Sequence, residues 1–249
     1  MNTEALLNDT LQLTRNSWGS AVVMDMSQVT GVPELPGSPD IEITGETVQD
    51  AALRFRGQRV TVLNFASGSM PGGGVRYGSL AQEECLCLSS GLLHALEGQM
   101  EYYEANRAEE APHECYDRMI WSANVPLIRD GQFRRVQPML MQVITYPAPI
   151  ATARVYRGSG VFADTPVEDN GLVEVFYRRC RHVVRRAAKA GTEVLILGAW
   201  GCGAYGNDPL MVAHAFQAAL ATQSGDIPKV VFAIYGVKAN QDAFKQVFS

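Results

Sequence analysis

The second half of the chain alternates continuous apolar runs with stretches of helical periodicity. The apolar runs predict strands at Met139–Tyr146, Glu193–Gly198 and Lys229–Tyr235. Apolar positions at helical spacing predict helices at about Gly171–Ala190 and Pro209–Thr222, and one further helix closes the chain. Strands that alternate with helices and are apolar throughout indicate a sheet buried on both faces. The pattern therefore predicts an α/β fold, a three-layer α/β/α domain with a mixed sheet.

The first half shows similar signals on both sides of a glycine-rich segment. Arg59–Ala66 predicts a buried strand, and Gln82–Leu96 predicts a helix with an apolar face. Met1–Arg15 predicts a short amphipathic helix, whereas Val29–Pro39 is rich in proline and glycine and predicts a loop. The polar segment Glu97–Cys115 is expected to cap the fold as helix and loop.

Length and composition favour a single domain. The 249 residues, of which 47% are hydrophobic, suffice for one substantial core, although length alone would permit two smaller domains. We predict that residues 59–249 form the core as one structural unit. Residues 1–58 are expected to form an N-terminal helical and loop extension packed on that core.

The charge distribution argues against duplex nucleic acid as a partner. A formal net charge of −5 leaves no broad electropositive surface. The local exception is the segment Tyr177–Lys189, whose basic residues are Arg178, Arg179, Arg181, Arg185, Arg186 and Lys189. A solvated helix face over an apolar stripe is the first interpretation, and a patch that attracts a polyanionic substrate is the alternative.

The cysteines and the amino terminus indicate a cytoplasmic protein. The five cysteines are odd in number and lack the spacing of zinc sites or secreted disulfide scaffolds, so we expect reduced thiols. The amino terminus carries acids where a signal peptide carries positive charge, and no run of eighteen apolar residues occurs. We expect neither export nor a membrane span.

A glycine-rich loop follows the strand predicted at Glu193–Gly198. Gly201, Gly203 and Gly206 have the spacing G-x-G-x-x-G, with Asp208 as the expected N-cap and Pro209 as the first helical residue. Such a loop at a helix start favours an anion, typically phosphate. A dinucleotide fold would place this motif on its first strand and an acid about twenty residues later, and neither holds here. The loop is interpreted as a diphosphate cradle, and a glycine-rich turn without chemistry is the alternative.

The other glycine-rich loop, Pro71–Glu84, ends in two adjacent acids. Glu83 and Glu84 are expected in the first turn of a helix, where acids are common without any function. Because side chains one residue apart on a helix diverge by about 100°, the two carboxylates cannot flank a bond from opposite sides. One is expected to perform chemistry and the other to hold a substrate. Ligands of open α/β sheets bind at the carboxyl ends of strands, so the two loops are expected to line one site.

These motifs resemble a known family. The string NFASGSMPGGG, seven residues and then QEE resembles the G-G-G-x6-8-Q-E-E signature of poly(ADP-ribose) glycohydrolases. The segment GAWGCGAYGN is similar to the diphosphate loop of their microbial type, and SANVPLIRDG and VITYPAP are similar to intervening blocks. The resemblance covers nearly the whole chain and implies a macrodomain fold, which agrees with the three-layer prediction.

The resemblance also implies roles for individual residues. By this resemblance, Glu84 occupies the catalytic position and Glu83 binds a ribose hydroxyl. The implied substrate-binding residues are Asn64, Gly72, Gly73, Gly74 and Gln82 beside the glutamates, and Gly201, Cys202, Gly203, Ala204, Tyr205, Gly206 and Asn207 in the diphosphate loop. Two positions depart from the pattern, because Ser67 stands where several members carry asparagine and Tyr205 replaces the usual phenylalanine that orients the terminal ribose.

The implied activity is hydrolysis of the ribose–ribose O-glycosidic bond of poly(ADP-ribose), with release of ADP-ribose from the chain end. The expected partners are poly(ADP-ribose) or ADP-ribosylated protein as substrate and ADP-ribose as product, for a monomer that needs no metal and no cofactor. A mono-ADP-ribosyl hydrolase and a non-catalytic ADP-ribose-binding macrodomain are the alternatives, and the intact QEE argues against the latter. A nucleotide-dependent dehydrogenase is the remotest alternative.

Overall fold

A computed structural model of the protein describes residues 2–17, 19–27, 29, 33–108, 117–157, 161–166 and 171–249, with the backbone alone for residues 152–157 and 161–166. The strands are β1 (Ala21–Asp25), β2 (Asp40–Thr44), β3 (Val60–Phe65), β4 (Arg118–Arg129), β5 (Arg135–Tyr146), β6 (Thr152–Arg157), β7 (Val161–Pro166), β8 (Val194–Leu197) and β9 (Lys229–Ala233). The α-helices are α1 (Thr3–Thr14), α2 (Val48–Arg54), α3 (Gln82–Ser89), α4 (Leu92–Glu97), α5 (Met100–Arg107), α6 (Leu172–Lys189), α7 (Pro209–Gln223) and α8 (Lys238–Phe248).

Strand β3 lies at the centre of a seven-stranded mixed sheet. The strand order is β1-β4-β5-β3-β8-β9-β2, and β6 and β7 form a separate antiparallel pair. From β5 to β2 all neighbours are parallel, whereas β4 is antiparallel to both β1 and β5. The carboxyl ends of β3, β8 and β9 therefore lie on the same side of the domain, where the glycine-rich loops begin.

Helices cover both faces of this sheet. Side chains alternate across a strand, so Val62 of β3 packs into the cluster that holds Leu86 of α3, and Leu63 packs into the cluster that holds Phe176 of α6. The first cluster takes residues from α1 to α5, and the second takes residues from α6, α7 and α8. The predicted three-layer α/β/α arrangement is confirmed.

Most elements predicted from periodicity are also confirmed. The strands predicted at Arg59–Ala66, Glu193–Gly198 and Lys229–Tyr235 are β3, β8 and β9. The helices α1, α6, α7 and α8 lie where helical spacing predicted them, and α7 begins with the expected Asp208 N-cap, whose carboxylate accepts from the Leu210 N–H at 3.0 Å. Of the segment Glu97–Cys115, α5 lies within the described residues, whereas residues 109–116 lie outside them.

The helical and loop extension predicted for residues 1–58 is wrong in its secondary structure. Strand β1 forms one edge of the sheet by pairing with β4, and β2 forms the other edge by pairing with β9. Both strands have five residues, and neither contains a buried residue. An edge strand with one neighbour lacks the long apolar run of a central strand, so its sequence signal is weak. The boundary at residue 58 stays a prediction. Both edge strands, β1 and β2, come before it in the sequence.

The helix predicted at Gln82–Leu96 consists of two helices, α3 and α4. Ser90, between them, has extended backbone and pairs with Leu127 of β4 in an isolated bridge. A Cβ on the next residue, Gly91, would lie 3.0 Å from the Pro126 ring. The close approach of β4 therefore interrupts the helix, and no pattern within α3 or α4 could predict it.

Candidate active site

Both glycine-rich loops line one cavity of about 650 Å³ at the carboxyl ends of the central strands. The first loop contributes Gly73 and the start of α3, which includes Glu83 and Glu84, and Ser67 lies shortly before this loop. The second loop contributes Gly201, Gly203, Ala204 and Tyr205. The loops predicted to line one site thus line the same cavity.

Gln82 fixes the start of α3 against β3. Its side-chain oxygen accepts from the Phe65 N–H at 2.8 Å, and its Nε2 donates to the Leu63 carbonyl at 2.8 Å. Both ends of the amide are therefore used by the strand backbone. This geometry favours a positioning task for Gln82 over the substrate contact that the resemblance implies.

Glu83 is 3% exposed, and both of its oxygens accept hydrogen bonds. Oε1 accepts from Asn64 Nδ2 at 3.1 Å, and Oε2 accepts from the Ser67 N–H at 2.7 Å. Asn64 Nδ2 also donates to Thr145 Oγ1 at 3.2 Å, which holds the amide in place. Burial raises the pKa of Glu83 to about 8, because desolvation outweighs the N–H groups that favour the charged form.

Glu84 has a different environment, although it is the next residue. It is 7% exposed, and its Oε1 accepts from the Gly74 N–H at 2.8 Å. Its Oε2 is buried and has no hydrogen-bond partner among the described residues. Because buried carboxylate oxygens are normally paired, an unpaired one beside a cavity is available for a bound molecule.

The triple glycine allows the main chain to lie directly on these carboxylates. Gly73 has φ +56°, and a Cβ there would lie 2.5 Å from Glu84 Oε1 and 3.0 Å from Glu83 Oε2. Gly72 faces Leu93 of α4, and Gly74 faces Ser79 within the loop. A side chain at Gly73 would displace both carboxylates, so the glycine is a requirement of the site's geometry.

The second loop presents unpaired main-chain donors to the cavity. No hydrogen bond among the described residues uses the N–H groups of Gly201, Gly203 or Ala204. A Cβ added at Gly203 would have no atom within 4 Å, so the main chain there borders open space. Unpaired main-chain N–H groups of residues that line a cavity can form an anion-binding concavity.

The remaining predicted residues of this loop support its shape. Asn207 is 3% exposed, and its Nδ2 donates to the carbonyls of Pro149 at 2.8 Å and Gly201 at 3.1 Å. The Gly206 N–H donates to the Gly203 carbonyl at 3.0 Å. Burial raises the pKa of the Cys202 thiol to about 12, so it stays protonated at neutral pH. The contacts of Asn207, Gly206 and Cys202 favour structural roles over direct ones.

The two positions that depart from the family pattern both have structural contacts. Tyr205 lines the cavity, and its hydroxyl donates to the Ala66 carbonyl at 3.2 Å, which joins the two loops. The Ser67 hydroxyl accepts from the N–H groups of Ser69 at 3.2 Å and Met70 at 3.1 Å. Both hydroxyls therefore stabilise the loops around the cavity.

Part of the cavity wall was not predicted from the sequence. Thr47 and Gln49 at the start of α2, Phe133 in the β4–β5 turn, and Tyr235 after β9 also line the cavity. One signal was available, because Thr47 accepts from the Asp50 N–H at 3.1 Å in a cap of the T-x-x-D type. Because the preceding strand β2 was not predicted, this cap could not indicate that the helix it begins lies beside the cavity.

Within the described ranges, no group of three or more His, Cys, Asp or Glu side chains could hold a metal ion. Nor does any helix of the described part of the chain combine the length and the apolar composition that a membrane span needs.

Comparison with known proteins identifies the family of this site. Residues 8–130 match the model of the microbial-type PARG catalytic domain. A crystal structure of poly(ADP-ribose) glycohydrolase (PARG) from Deinococcus radiodurans in complex with ADP-ribose is 30% identical, with a TM-score of 0.73 over 98% of this chain and 91% of that chain. The chain belongs to the microbial-type PARG family.

A second PARG supports the same assignment. The X-ray structure of PARG from Thermomonospora curvata is 28% identical, with a TM-score of 0.83 over 99% of each chain. The same enzyme bound to the inhibitor ADP-HPD has a TM-score of 0.82 over 98% of each chain. No curated protein matches the chain. The PARG family predicted from the GGG and QEE motifs is confirmed, and the macrodomain classification stays a prediction.

Glu83→Gln should remove a pH-dependent part of the stability of this PARG family member. The pKa of about 8 in the folded protein lies above the ordinary value of 4.5, so between these pH values the folded protein holds a proton that the unfolded chain has released. The stabilising contribution is complete below pH 4.5 and is lost as the pH rises to about 8. Urea unfolding across this pH range should show the decrease in the wild type and not in Glu83→Gln.

The exposed Glu101→Gln on α5 is the control for this measurement, and it should retain the decrease. An identical pH dependence in the wild type and Glu83→Gln would contradict the raised pKa.

Proposed function

We propose that the protein is a poly(ADP-ribose) glycohydrolase that hydrolyses ribose–ribose O-glycosidic bonds from the chain end and releases ADP-ribose. The observation that carries the proposal is the unpaired Oε2 of Glu84, in a cavity that is also lined by residues with unpaired main-chain N–H groups. The D. radiodurans relative in complex with ADP-ribose supports the same class of ligand.

The second loop is proposed to hold the diphosphate. The N–H groups of Gly203 and Ala204 would donate to phosphate oxygens, and the glycine lets the main chain approach them closely. The ring of Tyr205 would border the terminal ribose, and its hydroxyl is already bonded to Ala66. We therefore assign Tyr205 a positioning role through its ring, as the phenylalanine usual in the family would have.

Glu84 is proposed as the general acid. As the bond from the anomeric carbon to the leaving ribose oxygen breaks, Glu84 donates its proton to that oxygen and the sugar becomes oxocarbenium-like. The resulting carboxylate then accepts a proton from the water that attacks the anomeric carbon, which restores the acid. The bound diphosphate is negatively charged, so it stabilises the positive charge that develops on the sugar.

Glu83 is proposed to hold the substrate and not to transfer a proton. Its two oxygens are bonded to Asn64 and Ser67, and burial raises its pKa to about 8. A neutral carboxyl adds no negative charge beside Glu84 and can donate a hydrogen bond to a ribose hydroxyl. This assignment agrees with the roles that the family resemblance implies for the two glutamates.

Product analysis separates this function from its alternatives. The protein should be incubated with poly(ADP-ribose) and, separately, with mono-ADP-ribosylated protein, and the products identified. We expect ADP-ribose from the polymer and no release from the modified protein. Release from the modified protein alone would support a mono-ADP-ribosyl hydrolase, and tight binding without any product would support a binding module.

Glu84→Gln should lower turnover of poly(ADP-ribose) by about 10²- to 10⁴-fold, the usual effect of removing a positioned general acid. Affinity for ADP-ribose, measured by calorimetry, should stay within a few-fold of wild type because the amide has nearly the same shape. Glu97→Gln removes a carboxylate of an exposed ion pair with Arg76 outside the cavity, and it should leave turnover unchanged. Wild-type turnover in Glu84→Gln would refute the assignment.

Gly203→Val should weaken ADP-ribose binding by on the order of tenfold or more, because its side chain would occupy the space needed by the diphosphate. The variant should fold, since Gly203 does not have positive φ and a Cβ there meets no atom within 4 Å. Gly98→Val is the matched control: φ is −73° there and a Cβ would make only an ordinary contact at 3.6 Å. Equal affinity in a folded Gly203→Val would mean that the diphosphate binds elsewhere.

A further inference from the structure

A second cavity, of about 560 Å³, lies between α6, the end of α7 and the segment before β2. It shares none of its described lining residues with the cavity that contains Glu84. Three arginines of α6 line it, namely Arg178, Arg181 and Arg185. Its volume is within the range of sites that bind small molecules.

Arg185 is a buried cation without a counter-ion among the described residues. It is 9% exposed, and its Nη1 donates to the Pro33 carbonyl and to Gln223 Oε1, each at 2.8 Å. Its Nε is buried without a hydrogen-bond partner, and no described carboxylate forms an ion pair with the guanidinium. A buried charge without a partner is costly, so a bound anion would stabilise this arrangement.

The other two arginines add to the positive charge. Arg181 is exposed and has no ion pair with any described residue. Arg178 Nε contacts Asp117 Oδ2 at 2.6 Å, but the same carboxylate also contacts Arg179 Nε at 2.9 Å, so one acid serves two cations. The arginine side of the cavity therefore carries more positive charge than its acids neutralise.

The other polar residues of the lining do not cancel this charge locally. Glu34 and Glu174 also line the cavity, but neither forms an ion pair with its arginines among the described residues. Burial lowers the pKa of His182 to about 4, so it is neutral at pH 7. Tyr177 adds an aromatic side chain beside the arginines. Planar guanidinium groups bind phosphate oxygens with two parallel hydrogen bonds, so the lining fits a diphosphate next to a nucleoside.

Helix α6 also connects this cavity to the first one. Arg179, next to Arg178, donates from Nη1 to the Pro147 carbonyl at 3.2 Å, and the following residue Ala148 lines the catalytic cavity. We propose that the second cavity binds a diphosphate unit of poly(ADP-ribose) that lies outside the catalytic cavity. The proposal rests on the proposed function for the identity of the polymer, and it assigns the basic face of α6 to substrate binding.

The test compares Arg181→Glu with Lys189→Glu, both made in the Glu84→Gln protein so that the polymer stays intact. Both residues are exposed on α6 and both changes alter the charge equally, but only Arg181 lines the cavity. Binding of a long fluorescent poly(ADP-ribose) chain is measured by anisotropy at several salt concentrations, and binding of ADP-ribose is measured by calorimetry.

Arg181→Glu should weaken polymer binding by roughly tenfold at low salt. It should also reduce the slope of log K against log[salt] by the amount that corresponds to about one phosphate contact. Lys189→Glu should stay within about twofold of the parent, and ADP-ribose affinity should be unchanged in both. Equal losses in the two variants, no loss in Arg181→Glu, or a parallel loss of ADP-ribose affinity would each overturn the proposal. Because binding is measured without turnover, a failure of the proposed glycohydrolase activity would appear separately, as absence of product from the wild type.

Discussion

The hydrogen bonds that tie the first turn of α3 to strand β3 and to the first glycine-rich loop determine the candidate site. Gln82 bonds the β3 main chain on both sides of Asn64, and Glu84 accepts from the main chain of Gly74. These contacts fix the direction of α3, and with it the positions of two buried carboxylates. If the loop could not lie against them, which is the consequence of any side chain at Gly73, the carboxylates could not keep these positions.

These hydrogen bonds place the two adjacent glutamates in different environments. The helix directs their side chains apart, so Glu83 points to Asn64 and Ser67, whereas Glu84 retains one oxygen without a partner. In our proposal, Glu83 is suited to holding a substrate because its neutral carboxyl can donate a hydrogen bond to a ribose hydroxyl. Glu84 is suited to proton transfer because one of its oxygens is unpaired. A bound diphosphate completes the arrangement in our proposal, because it supplies the negative charge that the neutral Glu83 does not.

The central layers and both loops were predictable because their signals are local. Buried parallel strands produce continuous apolar runs, and the glycine spacing and the paired acids lie within a few residues of each other. The edge strands β1 and β2 were missed because pairing on one side requires no buried residue. The break at Ser90 and Gly91 was missed because it lies where β4, a strand distant in sequence, approaches. The same limit applies to side-chain roles. No sequence pattern shows that Gln82 and Asn207 bond the protein's own main chain, or that the Tyr205 hydroxyl reaches Ala66.

The central claim is that Glu84 Oε2, and not Glu83, meets the reacting end of the substrate. A crystal structure of the protein with ADP-ribose tests it most directly, because the product carries the anomeric hydroxyl left by hydrolysis. We expect this hydroxyl within hydrogen-bond distance of Glu84 Oε2, the diphosphate on the N–H groups of Gly203 and Ala204, and Glu83 still bonded to Asn64 and Ser67. An anomeric hydroxyl next to Glu83, with Glu84 Oε2 still unpaired, would contradict the account.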